Sequence, residues 1–163
     1  MRLNIRSAKV QECEELSIIF KEVLERLPYY NVVAKQSELD KYSLSELAKK
    51  IEQDPDSVLI AEENNEIVGF CLNRLDDMLI WLEWFGVVEH KRRNGIARKL
   101  VNHLESIAPH RNAHKIWCDC RTENIKSISL LSSIGYMQIC TVKNHWYGQD
   151  FILWQKEIEK TIL

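Results

Sequence analysis

Arg92, Arg93, Asn94, Gly95, Ile96 and Ala97 stand in a row, after a long apolar run at 79–88 and at the start of a segment with helical periodicity. A helix start leaves several backbone N–H groups without partners, and the helix dipole adds partial positive charge there. A diphosphate can therefore be held by main chain alone. Gly95 permits a tight turn and a close approach of the backbone, and Ala97 keeps the next contact point free of bulk. Lys91, Arg92, Arg93, Arg98 and Lys99 surround the turn with cationic side chains, so an anion is the natural guest. A plainer description fits the same six residues, namely a solvated loop capped by Asn94, and the motif alone does not separate the two.

The elements that would position this turn follow from periodicity. Residues 2–6 read as a short strand. The segment 9–27 carries Val10, Leu16, Ile19, Phe20, Val23 and Leu24 at helical spacing, and Pro28 stops it. Residues 28–42 lack a clear period and read as a loop or a broken helix containing Tyr29, Tyr30 and Tyr42. A second helix is expected over 45–53, with Ser43 or Ser45 as its cap. Strands at 58–61 and 66–72 join across Asn64-Asn65, and a turn at Asp76-Asp77 leads into a long third strand at 78–88. Gly86 marks a bulge or a close backbone approach. The helix after Gly95 ends before Pro109. A strand at 115–120, a helix at 124–134 closed by Gly135, and strands at 136–142 and 151–158 complete the chain.

Composition sets outer bounds. A chain of 163 residues fits one domain over 1–163, and 45% hydrophobic with 28% charged residues is ordinary for a globular protein. A net charge of −2 gives no global pull toward nucleic acid or an anionic membrane, so the basic cluster at 91–99 is local. No apolar run approaches the length that spans a bilayer. Cys13, Cys71, Cys118, Cys120 and Cys140 form an odd set without metal-finger spacing, which predicts a reducing, cytoplasmic setting and no metal.

The order of parts is specific: a strand meander, a strand with Phe85-x-Val87, then Arg-x-x-Gly-x-Ala opening a helix, a strand, a helix started by Asn124 and ended by Gly135-Tyr136, and two last strands. In this the chain resembles the GNAT superfamily of acyl-CoA-dependent N-acyltransferases. The resemblance is strongest over 79–136 and covers nearly the whole chain. It implies an α/β fold of the α+β kind: a mixed, mostly antiparallel central sheet of about six to seven strands with a splayed strand pair, flanked by about four helices.

The resemblance also implies acetyl-CoA, or another short acyl-CoA, as cosubstrate. Backbone amides across Arg93, Asn94, Gly95, Ile96, Ala97 and Arg98 would hold its pyrophosphate, with Arg92 marking the motif. Main chain of Phe85 and Val87 would pair with the pantetheine arm, and Asn124 would bond that arm or simply cap its helix. Transfer to an amine needs a base, for which two carboxylates are candidates. Asp119 stands where N-terminal-peptide acetyltransferases of the superfamily carry a Glu, and alternation turns it away from Cys118 and Cys120. Glu83 lies just before Phe85 and Val87. Each has a structural competitor: an ion pair with Arg121 for Asp119, and a cross-strand pair with Arg74 or a Lys for Glu83. Tyr29, Tyr30 and His145 are candidate acceptor contacts, and acidity from Glu38, Asp40, Asp76 and Asp77 would favour a cationic amine. The acceptor would be a small molecule, a peptide or a protein, and the resemblance allows a homodimer. One departure stands out: Leu131 occupies the place of the tyrosine that protonates the departing thiolate in many members, with Ser132, Cys120, Tyr136 or water as substitutes. A binding protein that keeps the acyl-CoA pocket without turnover is the alternative.

Overall fold

The structure, a computed structural model, describes residues 3–159. In chain order the elements are β1 (Asn4–Ser7), α1 (Cys13–Glu25), α2 (Val32–Lys41), α3 (Leu44–Gln53), β2 (Val58–Glu63), β3 (Glu66–Asp76), β4 (Leu79–Val87), α4 (Ile96–Ile107), β5 (Lys115–Arg121), α5 (Ile125–Ser133), β6 (Met137–Val142) and β7 (Phe151–Glu157). The strands form one seven-stranded sheet in the order β1-β2-β3-β4-β5-β7-β6, antiparallel except for the pair β4–β5. This is the mixed, mostly antiparallel sheet that the element order implied. Residue 2, placed in the first strand by its periodicity, lies outside the described residues.

Alternation along the strands sorts side chains into two cores. Val58 and Ile60 join Phe70 and Leu72 under α1 and α3, while Leu59 and Ala61 face the opposite way, with Ile80, Ile116 and the Leu100-Val101-Leu104 stripe of α4. Two tight turns hold the β2–β3–β4 meander. Asn64 and Asn65 have φ of 55° and 63°, and Asp77 and Met78 have 46° and 66°, the left-handed pairs that match hairpin twist. The second turn therefore sits one residue later than Asp76-Asp77.

Residues 28–42 were expected to be a loop or a broken helix, and instead they contain α2, which brings the helices among the described residues to five. Asn31 caps it by accepting the Ala34 N–H at 2.8 Å. Its apolar stripe is missing because Val32 and Val33 face solvent while the buried positions are Ala34 and a carboxylate, Glu38.

The sheet opens between β4 and β5. Their pairing runs from Leu79↔Lys115 to Leu82↔Cys118 and stops there. Beyond that point β4 continues against β3, to Val87↔Gly69, and β5 continues against β7, to Arg121↔Phe151. The facing edges, residues 83–87 and 119–121, diverge unpaired. A bulge accompanies the opening: Leu72 pairs with Trp84 and Asn73 with Leu82, so the extra residue is Glu83, not one at Gly86. Gly86 serves close approach instead, since a Cβ there would sit 2.5 Å from Phe70 Cζ.

Candidate functional site

At the α4 end of the opening, β4 leads through a short turn (Glu89–Lys91) into the basic motif. Arg92 folds back, its Nε donating to the Val87 carbonyl at 3.1 Å. Asn94 does not cap the helix. Its Nδ2 donates to the Lys91 carbonyl at 3.2 Å, and the N-cap position falls to Gly95, at φ 72° and without a side-chain acceptor. Among the described residues the amides of 93–98 find no backbone acceptor; the first helical bond is Lys99 N–H to the Gly95 carbonyl, at 3.1 Å. A Cβ built on Gly95 would meet nothing within 4 Å, so the glycine answers to its φ, and the space over the turn is open. Ile96 anchors the turn in the core and Ala97 packs beside it, whereas Arg93 and Arg98 are exposed. Arg98 donates to Ser133 Oγ at 2.9 Å and so ties α4 to α5. Lys91 is paired with Glu63. Uncapped amides, open space and local positive charge together make a fit for a diphosphate.

The neighbouring main chain is also available, apart from the Val87 carbonyl that already accepts from Arg92. Val88 N–H donates to the Val68 carbonyl, so by antiparallel alternation the main-chain groups of Phe85 and Val87 point away from β3, into the opening. Asn124 Oδ1 accepts the Ser127 N–H at 3.1 Å, which is the plain N-cap; its Nδ2 has no partner among the described residues. Leu131 is fully buried on the core side of α5, and Tyr136 lies at the other end of the sheet, next to Met137, which pairs with Gln155.

The opposite face of the opening is a cleft of about 290 Å³. β4 and β5 supply Trp81, Glu83, Trp84, Asp119 and Arg121 to its floor; the N-terminal third supplies Tyr30, Glu38, Lys41 and Tyr42; Trp146, Tyr147 and Phe151 come from the last hairpin. The bulge at Glu83 is what lets two consecutive residues, Glu83 and Trp84, face the same cleft. The two outer walls are latched together. Asn31 Nδ2 donates to the Tyr147 carbonyl at 3.1 Å, Tyr147 Oη donates to Ser37 Oγ at 2.8 Å, and Gln149 Nε2 donates to the Tyr29 carbonyl at 2.6 Å.

Three carboxylates reach this cleft and they differ sharply. Glu83 takes Arg74 Nη1 at 3.0 Å on one oxygen, and Lys50 Nζ lies 2.8 Å from the other as an ion pair out of line for a hydrogen bond. The cross-strand pairing considered for Glu83 is thus present. Glu38 accepts Trp84 Nε1 at 2.8 Å and contacts Tyr147 Oη at 3.4 Å. Asp119 makes no hydrogen bond or ion pair among the described residues, including with Arg121. Burial pushes its pKa up to about 6, and the nearby Arg121 charge only partly opposes that. Cys118 and Cys120 face the α4 core, as alternation required.

The candidate acceptor residues divide. Tyr30 lies in the cleft, stacked on the Arg121 guanidinium at 3.5 Å and on Trp84 at 5.3 Å. Tyr29 packs on Tyr30 behind it, and burial pushes its hydroxyl up to about 12. His145 is exposed and packs on Trp146 at 4.3 Å; its neighbours Trp146 and Tyr147 line the cleft in its place. Trp81, Trp84, Arg74 and Arg121 were not among the expected acceptor contacts. An aromatic-rich strand beside Glu83 was the available signal for the two tryptophans. Of the acidic residues considered for the entrance, Glu38 lines the cleft, whereas Asp40, Asp76 and Asp77 do not.

Similarity to known proteins meets this geometry at the family level. Residues 20–136 match the model of the Acetyltransferase (GNAT) family. A curated acetyltransferase of Pectobacterium atrosepticum is 32% identical over 91 residues, which cover 56% of this chain and 64% of that relative. PaiA N-acetyltransferase of Thermoplasma acidophilum, solved in complex with coenzyme A, superposes with a TM-score of 0.84 at 19% identity over 96% of this chain and 99% of that one. The yncA protein of Salmonella typhimurium, solved with acetyl-CoA, gives 0.74 at 20% identity over 99% and 96%. At such identities the superpositions establish the fold, and the family match covers well over half of the sequence. The chain belongs to the Acetyltransferase (GNAT) family.

Proposed function

We propose that this protein transfers acetyl from acetyl-CoA to a primary amine of a small molecule, peptide or protein by direct attack within a ternary complex. One observation carries the reading: an unpartnered carboxyl, Asp119, stands at the cleft side of a strand opening whose other side leads to uncapped helix amides. The amides of 93–98 suit the pyrophosphate, and the main chain of Phe85 and Val87 with Asn124 Nδ2 suits the pantetheine arm. Bound there, acetyl-CoA supplies an acyl thioester as the electrophile. Asp119 takes the proton that an ammonium acceptor must lose before its lone pair can attack. Glu83, held between Arg74 and Lys50, orders the floor and is the weaker candidate base. With Leu131 buried, this chain offers no tyrosine at that place. A thiolate whose conjugate acid has a pKa of about 8.5 can leave with solvent as proton source. The PaiA and yncA neighbours, solved with CoA and acetyl-CoA, support the choice of cosubstrate. A reducing cytoplasmic setting belongs to the same proposal.

The buried Leu131 favours one competing reading, an acyl-CoA-binding regulatory protein with little or no turnover. Calorimetry with CoA, followed by free-CoA release from acetyl-CoA across a panel of amines and peptides, separates the two. Binding with release is the expected result; binding without release for any acceptor supports the regulatory reading, and no binding removes both.

A further inference from the structure

We propose that Arg121 determines acceptor specificity, and that the acceptor is a free α-amino acid, its carboxylate held by Arg121 and its amine by Asp119. The proposal rests on the acetyltransferase reading of this cleft.

Arg121 closes β5 and is 3% exposed. Its guanidinium is fixed from several directions: Tyr30 covers one face at 3.5 Å, the Phe151 ring lies at 4.7 Å, and Nε donates to Gln149 Oε1 at 2.8 Å. Nη2 is buried and has no partner among the described residues. A charged donor left unmet in a dry place is unfavourable, and its persistence calls for an acceptor that is not part of the chain. The carboxylates of the cleft do not meet it. Glu83 is held by Arg74 and Lys50, Glu38 by Trp84 and Tyr147, and Asp119 forms no ion pair although Arg121 is near enough to lower its pKa.

Asp119 and Arg121 thus line one cleft as an unmet acceptor and an unmet donor. They lie two residues apart on one face of a strand, roughly 6.6 Å along it. An α-amino acid carries its ammonium and carboxylate on a single carbon. Charge-assisted contacts to Asp119 at one end of that unit and to Arg121 at the other meet both groups at once. A diamine brings nothing for Arg121 and sets a second positive charge against it. Trp81, Trp84 and Trp146 share the rest of the cleft with Glu38, Lys41 and Glu83, and about 290 Å³ suits a molecule of single-residue size.

The test compares kcat/KM, read by CoA release, for leucine, methionine and phenylalanine, for the matched amino-acid amides, and for aliphatic diamines, using the native chain, R121K and R121Q. Taking the acid-to-amide ratio cancels the influence of Arg121 on Asp119, because both substrates need the same base. The ratio is expected to be at least about tenfold higher in the native protein than in R121Q, with R121K between, since the different basicity of the two amines enters every ratio alike. CoA release by the native protein with the amides or diamines but not with the amino acids overturns the proposal while leaving acetyl transfer intact. So does a ratio unchanged in R121Q, or in R121K should R121Q not fold. No CoA release with any acceptor overturns both readings.

Discussion

The proposed chemistry rests on one side chain, Asp119, and its environment makes that role testable in two ways. Its carboxyl is raised from an ordinary 3.8 to about 6, chiefly by burial. As a base it works only when ionised, so the rate should climb as pH rises through about 6 and level off above. Asp119→Asn is expected to lower kcat/KM at pH 7.5 by roughly 100-fold or more and to remove that rise, as a pH-rate profile would show. Stability runs the other way. Between 3.8 and 6 the folded chain binds a proton that the unfolded chain has released, so the stability this carboxyl contributes is complete below 3.8 and is lost as pH rises through about 6. The asparagine variant should therefore melt above the native protein at pH 7.5 and level with it near pH 4. A variant that melts lower at pH 7.5 would mean that the ionised carboxylate has a partner in solution.

At the scale of elements, the turn into α4 and the opening between β4 and β5 do the positioning. Gly95 sits at φ 72° with open space around it, so alanine there bears only the left-handed backbone penalty, about 1 kcal/mol, while a bulky side chain fills the space over the amides. Gly95→Ala should cost about that much in chemical denaturation and weaken CoA binding modestly. Gly95→Trp should remove CoA binding in calorimetry; retained affinity would take the pyrophosphate away from this turn. The opening itself depends on the bulge at Glu83, because the extra residue keeps Trp84 on the cleft face and directs Phe85 and Val87 to the opposite core.

Across the whole molecule, two cores share a single sheet. Trp84 packs against the α1 core and Trp154 belongs to the α4 core, on opposite faces. We propose that residues 1–163 fold as one unit, so in a chain retaining Trp84 alone, and likewise in one retaining Trp154 alone, tryptophan fluorescence and far-UV circular dichroism should give the same urea midpoint for that chain. Two separate midpoints would show that the faces unfold independently. CoA present at 100 times its Kd should stabilise that one transition by about 2.7 kcal/mol, and Gly95→Trp should abolish the shift.

The amino-acid sequence by itself determined the family, the order of the elements apart from α2, and the glycine turn into α4, because each is written in local periodicity, in glycine chemistry and in spacing over 79–136. Strand alternation alone sufficed to turn Asp119 away from Cys118 and Cys120. Tertiary structure decided the rest. The inward residue of α2 is a carboxylate, so that helix left no apolar stripe to read. The bulge falls at Glu83 because β3 and β4 shift register there, which depends on a pairing between strands and not on any one glycine. Gly95, not Asn94, takes the N-cap position of α4, because Asn94 is drawn back to the Lys91 carbonyl. The cleft collects Tyr30, Glu38, Arg121 and Trp146 from distant parts of the chain. Contacts over such separations arise only when the sheet orders its strands β4-β5-β7, and no short-range pattern carries that information.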